Sequence, residues 1–246
     1  MYRFFVNPDN IQGKKVIIDG SDVNHIKNVL RMQPGEEINV SNGVDGKEYR
    51  CAIEEIGEEI ICSLRFIKED GVELSSKIYL FQGLPKSDKM ELIIQKAVEL
   101  GVYEVIPVAM SRSVVKLDEK RAAGKVARWQ EIARAAAKQS KRAIVPNVHD
   151  ILSYKQAIEY ASQLDVRMIP YEMAEGMSHT KDIIGRIQPG QSIGFIIGPE
   201  GGIDDKELEA AKEAGFEEIT LGKRILRTET AGMTVLSILM YTMERD

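Results

Sequence analysis

Nine residues, from Gly194 to Gly202, read GFIIGPEGG. An apolar run over 193–197 stops at Gly198, Pro199, Glu200, Gly201 and Gly202, and a stretch with helical patterning follows. Strand, glycine loop and helix is the order that holds phosphates at helix N-termini. Such a loop could cradle a phosphate, hold another ligand, or only turn the chain. The residue types weigh against phosphate. The spacing is neither GxxxxGK[ST] nor GxGxxG, Pro199 has no N–H to donate, and Glu200 puts a carboxylate where a phosphate would lie. A carboxylate suits a cation or a ligand with N–H and O–H donors, and the glycines let backbone come close to it. A capped turn accounts for Asp204 and Glu207, which have capping-box spacing. It leaves three glycines, a proline and a glutamate in one loop without a reason.

A second stretch has the same character. The run EEITL leads into GKRILRTETA, 222–231, and then into an apolar helix. A third loop, IPYEMAEG, follows the strand DVRMI. Ligands of open α/β sheets bind at the C-terminal ends of parallel strands. If the strands before the first two loops are parallel and adjacent, those loops lie side by side. Together the three offer backbone donors and acceptors, apolar Ile225 and Leu226, and the charges of Arg224, Arg227 and Glu229, the usual make-up of a small-molecule site. The plainer alternative is helix capping by Thr228 or Thr230 with the arginines in water.

The elements that must position these loops fall into two sets. Over 1–70, YRFFV, KVIID, EINVS, KEYRCAIEEI and IICSLRFIK alternate like short strands, with turns at PGEE, NGVDG and IGEE. A helix over 21–32, with Val23, Ile26, Val29 and Leu30 at helical spacing and Ser21 as its cap, interrupts them. The pattern predicts a small β-barrel with one helix, and 69–77 reads as a linker. From Lys77 strands and helices alternate: KIYLFQGL, EVIPVAM, AIVPNV, DVRMIPY, QSIGFII and EEITL as strands, with helices between them and a last one from about Glu229 to the end. That is an α/β fold with a mostly parallel sheet. The long helix over 118–142 carries Ala122, Val126, Trp129, Ala133 and Ala136 on one stripe, so Trp129 reads as core and not as a stacking platform.

Composition narrows the class. The chain has 246 residues, 43% apolar and 29% charged, as in a globular protein. No apolar run approaches a membrane span, and charges throughout 1–20 argue against a secretory signal. Cys51, Cys62 and three scattered histidines form no metal-type cluster, and two lone cysteines fit a reduced, cytoplasmic setting. Residues 1–74 hold 9 Lys/Arg against 14 Asp/Glu, whereas 111–145 hold 10 against 3. Such a basic block faces either nucleic acid or water.

At this point the residues resemble a family. IGPEGG followed by LGKRILRTETA is similar to the RsmE family, the methyltransferases that modify N3 of a uridine in small-subunit ribosomal RNA. KMELIIQKAVELGV, SRSVV, the RW…AAAKQSKR…VP run, MYRFFV and HIKNVLRMQPGEE extend the resemblance over nearly the whole chain. One departure is Lys138, where the family often has a glutamate. The resemblance implies a PUA-like RNA-binding β-barrel over 1–70 and an α/β SPOUT methyltransferase domain over 75–246 with a C-terminal trefoil knot. It implies a homodimer without a metal or a membrane anchor, with S-adenosylmethionine as cofactor and small-subunit ribosomal RNA, within an assembled or late-assembling subunit, as partner. Carried onto this sequence, it places the cofactor at Tyr171, Glu172, Ile197, Gly198, Glu200, Gly201, Gly202, Leu221, Ile225, Leu226, Thr230 and Ala231. Glu229 becomes the candidate base and Arg227 the stabiliser of an anionic uracil, or the two only brace the loop. Arg3, Arg31, Arg112 and Arg142 become the RNA contacts. Two other classes compete: an RNA-binding assembly factor, which needs no donor pocket, and a nucleotide hydrolase, which lacks its P-loop lysine.

Overall fold

The structure is a computed structural model that describes residues 1–69, 72–115, 118–174 and 176–244. Part of the expected 69–77 linker therefore lies outside the described residues. The chain forms two compact units. The first is Met1–Glu73 with Ala137–Val145; the second is Leu74–Ala136 with Pro146–Asp246.

In the first unit β1 (Arg3–Phe5), β2 (Ile11–Gln12), β3 (Lys15–Ile18), β4 (Glu37–Ser41), β5 (Glu48–Ile56) and β6 (Ile60–Lys68) make one sheet in the order β1-β4-β5-β6-β3-β2. Period-two alternation buries Val16 and Ile18, Ile38 and Val40, Cys51 and Ile53, and Ile60 and Cys62 on one face, with Phe4 and Ile26. Burial pushes both thiols up to about 12, so neither is a nucleophile near neutrality. The expected helix is α1 (Ser21–Asn24), which continues over 25–30 in wider π turns. Ser21 does not cap it. Gly20 holds the cap position and no side chain bonds there.

The segment 137–145 joins this unit through charge. The Glu73 carboxylate accepts from Arg142 Nε at 3.1 Å and from the N–H groups of Ala143 and Ile144 at 3.0 and 3.2 Å. Lys138 Nζ lies 2.6 Å from Asp22 and 4.9 Å from the centre of the Phe4 ring. The strand expected over 143–148 is thus split. Ile144 bridges Gly43 in the first unit, and only Asn147–Val148 pairs in the second. Pro146, which cannot donate to a ladder, sits at the break.

The second unit is a parallel sheet. Its strands are β7 (Lys77–Gly83), β8 (Glu104–Ala109), β9 (Asn147–Val148), β10 (Leu152–Ser153), β11 (Val166–Pro170), β12 (Ser192–Ile197) and β13 (Glu217–Ile219). The order is β10-β8-β7-β12-β11-β13, with β9 also on β8. The helices are α2 (Lys89–Glu99), α3 (Glu119–Gln139), α4 (Tyr154–Ala161), α5 (Met177–Gly185), α6 (Asp205–Glu213) and α7 (Thr228–Met243). Helix α7 packs on α2 and β12, while α4 packs on β8 and α6. Along α3, Trp129, Ala133 and Ala136 of the expected stripe are buried, while Ala122 and Val126 are half-buried. Helix α7 buries Val235, Leu236, Leu239 and Met243 but exposes Ile238 and Tyr241. No described helix is long and apolar enough to cross a membrane.

Arg142 is a brace, which gives a stability prediction. Replacing it with Met leaves Glu73 without its cation and should cost about 3 kcal/mol by denaturant unfolding. An unchanged midpoint would show that the pair does not hold the segment in place.

Candidate functional site at the C-terminal edge of the parallel sheet

The loops singled out in the sequence leave the same sheet edge, but the strands before them are not neighbours. β11 lies between β12 and β13, parallel to both. The adjacency expected from sequence is therefore wrong. The loops meet because the chain returns. After β13 it crosses the end of β11, where Tyr171 N–H donates to Ile219 O at 2.9 Å. It arrives beside β12, where Thr228 Oγ1 donates to Gly198 O at 2.7 Å. Gln82, buried at the end of β7, donates to Thr228 Oγ1 at 2.9 Å. Thr228 is thus neither a cap nor a bystander. Arg227 holds the cap position of α7, with no side-chain cap bond.

The glycines are needed where backbone meets backbone or leaves ordinary space. A Cβ on Gly198 would stand 2.8 Å from Ile203 Cγ1, and Gly202 has φ +74°. A Cβ on Gly201 would stand 3.0 Å from Arg112 Cβ, so this glycine admits the loop after β8. Arg112 Nη1 then donates to Gly201 O at 3.3 Å, and Nη2 lies 3.6 Å from Asp204. Past the loop, Asp204 and Glu207 form the capping box of α6 that their spacing predicts.

The candidate residues fall into three groups. Ile197 is buried, Gly198, Leu221, Leu226 and Ala231 are half-buried, and Gly201, Gly202, Thr230 and Arg227 are exposed. Ile225 is 81% exposed, an apolar side chain with no cover. Tyr171 is half-buried and Glu172 exposed at the start of the third loop, of which residue 175 lies outside the described set. The two carboxylates form the second group, because Lys89, which sequence reasoning missed, stands between them. Its Nζ lies 2.9 Å from Glu200 Oε1 and 3.4 Å from Glu229 Oε2. At 3.4 Å the Glu229 contact is an ion pair, and nothing hydrogen-bonds that buried oxygen. Both Glu200 oxygens also accept from Lys86 N–H, at 3.2 and 3.3 Å. Partial burial pushes the Glu200 carboxyl up, but the bonds from Lys89 and Lys86 outweigh it and hold the group below its ordinary value. The bond to Glu200 raises the Lys89 ammonium in turn. Lysine at the start of an ordinary-looking helix gives no sequence signal, since its partners are 111 and 140 positions away.

The third group is the four arginines. Arg31, at φ 53° at the end of the 25–30 turns, and Arg112 are exposed. Arg3 and Arg142 are not surface cations. Arg3 is 8% exposed and paired with Glu48, and Arg142 is 4% exposed and paired with Glu73. Their partners lie 45 and 69 residues away, and burial of the pairs keeps a phosphate from either guanidinium.

An open parallel sheet with returning loops at its C-terminal edge, in a chain that also carries a small β unit, defines the class: an α/β domain with an accessory β domain. Comparison with known proteins makes it particular. Residues 72–240 match the family described as RNA methyltransferase domain, and 18–64 match the RNA methyltransferase PUA domain. The chain is 38% identical to ribosomal RNA small subunit methyltransferase E of Bacillus subtilis, over 99% of this chain and 98% of that one. The structure of the Neisseria gonorrhoeae protein of the same name, bound to S-adenosyl methionine, is 35% identical and superposes with a TM-score of 0.82 over 96% of this chain and 95% of that one. A Legionella pneumophila methyltransferase structure with the bound cofactor SAM is 30% identical, with a TM-score of 0.80 over 96% of each chain. The chain belongs to the ribosomal RNA small subunit methyltransferase E family.

The Glu200 contacts predict a pH effect. Its folded-state pKa is depressed, so its stabilisation is complete above its ordinary value of 4.5 and is lost as pH falls through the lower, folded value. Glu200→Gln removes that contribution. Thermal unfolding followed from neutral pH to below about 4 should fall less steeply in the variant than in the wild type. Parallel curves would contradict the assignment.

Proposed function

We propose that this protein is an S-adenosylmethionine-dependent methyltransferase acting on N3 of a uridine in small-subunit ribosomal RNA, as a cytoplasmic homodimer. The observation that carries the reading is the meeting of the glycine loop and the 220–228 loop at one sheet edge, joined by Thr228 and Gly198. The reading includes a trefoil threading of this returning segment, residues 1–70 as the RNA-binding domain and 75–246 as the methyltransferase domain.

The residues present suit the cofactor. Its sulfonium is a cation, and Glu172 and Glu200 on two of the loops and Glu229 in the first turn of α7 are carboxylates. Its adenine is flat and apolar on its faces, and Leu221, Ile225 and Leu226 offer apolar cover. Gly198, Gly201 and Gly202 present backbone without side chains. Bound there, S-adenosylmethionine supplies an electrophilic methyl group.

The chain itself must position the uracil in line with that group, which is worth much of the rate. Arg227, exposed at the head of α7, stabilises the negative charge on the uracil as its N3 proton passes to solvent water. Glu229 fits the bracing role better than that of a free base, because Lys89 already holds it. Arg31 and Arg112 supply phosphate contacts from their own units, whereas the buried Arg3 and Arg142 do not. The exposed Ile238 and Tyr241 of α7 and Leu92 of α2 support two-fold pairing of the second unit.

Calorimetric titration and transfer of a labelled methyl group to small subunits lacking the modification test the reading. Ile225→Gln should weaken cofactor binding roughly tenfold by putting an amide where the adenine face needs apolar cover. Arg227→Ala should keep cofactor affinity but slow single-turnover methylation about a hundredfold. A wild-type protein that methylates no such substrate refutes the function, and Arg227→Ala reacting at the wild-type rate refutes the mechanism. Light scattering should show a dimer; a monomer at micromolar concentration counts against the pairing.

A further inference from the structure

We propose that Lys89 is a positioning residue for methyl transfer: a single ammonium, shared by Glu200 and Glu229, that locks the glycine loop to the head of α7. The proposal rests on the methyltransferase reading for its purpose, but the lock itself can be read without any ligand.

Three elements from different parts of the chain meet at this ion. Lys89 opens α2, Glu200 lies in the loop after β12, and Glu229 lies in the first turn of α7. Lysine is out of place in a first helical turn, where the macrodipole disfavours a cation. Asp88 holds the cap position without a side-chain cap bond, so its charge and that of Glu91 act at the helix start only at a distance. Strain accompanies the misplacement. Ser87 sits at φ 56°, a left-handed conformation that a non-glycine residue adopts at a cost. This turn is what aims Lys86 N–H and the Lys89 side chain at the same carboxylate. A helix start that gives up its cap, takes a cation and strains a serine serves Glu200 and Glu229 rather than its own stability.

The lock answers a need of the site. The glycine loop has few side chains of its own through which to be held. Thr228 fixes its start at Gly198 O and Arg112 its far side at Gly201 O. Glu200, between them, is its one charged handle, and Lys89 ties that handle to Glu229, one residue after Thr228. Without the lysine the two carboxylates would repel each other and push the glycine loop away from the head of α7.

The experiment compares Lys89→Gln and Lys89→Arg with the wild type, after circular dichroism has shown both to be folded. In the ligand-free proteins, amide hydrogen exchange at Gly201, Gly202 and residues 224–228 should quicken about tenfold in Lys89→Gln and return to near wild type in Lys89→Arg. S-adenosylmethionine and its demethylated product should both bind about tenfold more weakly to Lys89→Gln, and Lys89→Arg should recover most of that loss. Unchanged exchange and unchanged affinities in Lys89→Gln overturn the proposal, as does Lys89→Arg behaving like Lys89→Gln. If the wild type binds neither ligand, the methyltransferase reading fails, and the exchange data still decide whether the lock exists.

Discussion

The hydrogen bond from Thr228 Oγ1 to Gly198 O, backed by Gln82, is the contact on which the site depends. Sheet topology does not bring the two loops together, because β11 stands between their strands. The chain must cross that strand and be caught on the other side. Gln82 and Thr228 are buried, so a lost partner would leave polar atoms out of water, at a cost of about 1–3 kcal/mol. That penalty makes the catch specific. Once it is made, Arg227 and Glu229, the chain neighbours of Thr228, are held close to the glycine loop, and Lys89 ties Glu229 to Glu200.

Charge has a second organising part, and it differs from what the sequence suggests. Part of the basic block over 111–145 is occupied with the chain's own carboxylates. Arg142 holds Glu73, Lys138 holds Asp22, Arg128 holds Glu91 and Arg121 holds Asp118. In the acidic first unit Arg3 is taken by Glu48. The cations left for a nucleic acid are therefore fewer than a count implies. Lys138 also shows how the first unit absorbs a departure from the family pattern, since a cation there finds Asp22 and the Phe4 ring.

Much of the fold was legible because local rules produce it. Alternation marked β3 to β6, helical spacing buried Trp129, and Asp204 with Glu207 announced the start of α6. The glycine loop was legible as a candidate site because the capping of α6 by Asp204 and Glu207 accounts for none of its five residues. What could not be read depends on partners far along the chain. Neither β11 between β12 and β13, nor Lys89 between two carboxylates, nor the burial of Arg3 and Arg142 leaves a periodic trace. An arginine looks the same in sequence whether it faces a phosphate or a buried glutamate.

The central claim is that residues from three separated loops form one cofactor site within the second unit. Amide chemical shifts of the isotope-labelled protein, followed as S-adenosylmethionine is added, test it most directly. The account predicts saturable shifts at Gly198, Gly201 and Gly202, at residues 221–231, and at Tyr171 and Glu172, all with one midpoint, while residues 3–68 stay still. Shifts confined to one loop, or centred in the first unit, would contradict it.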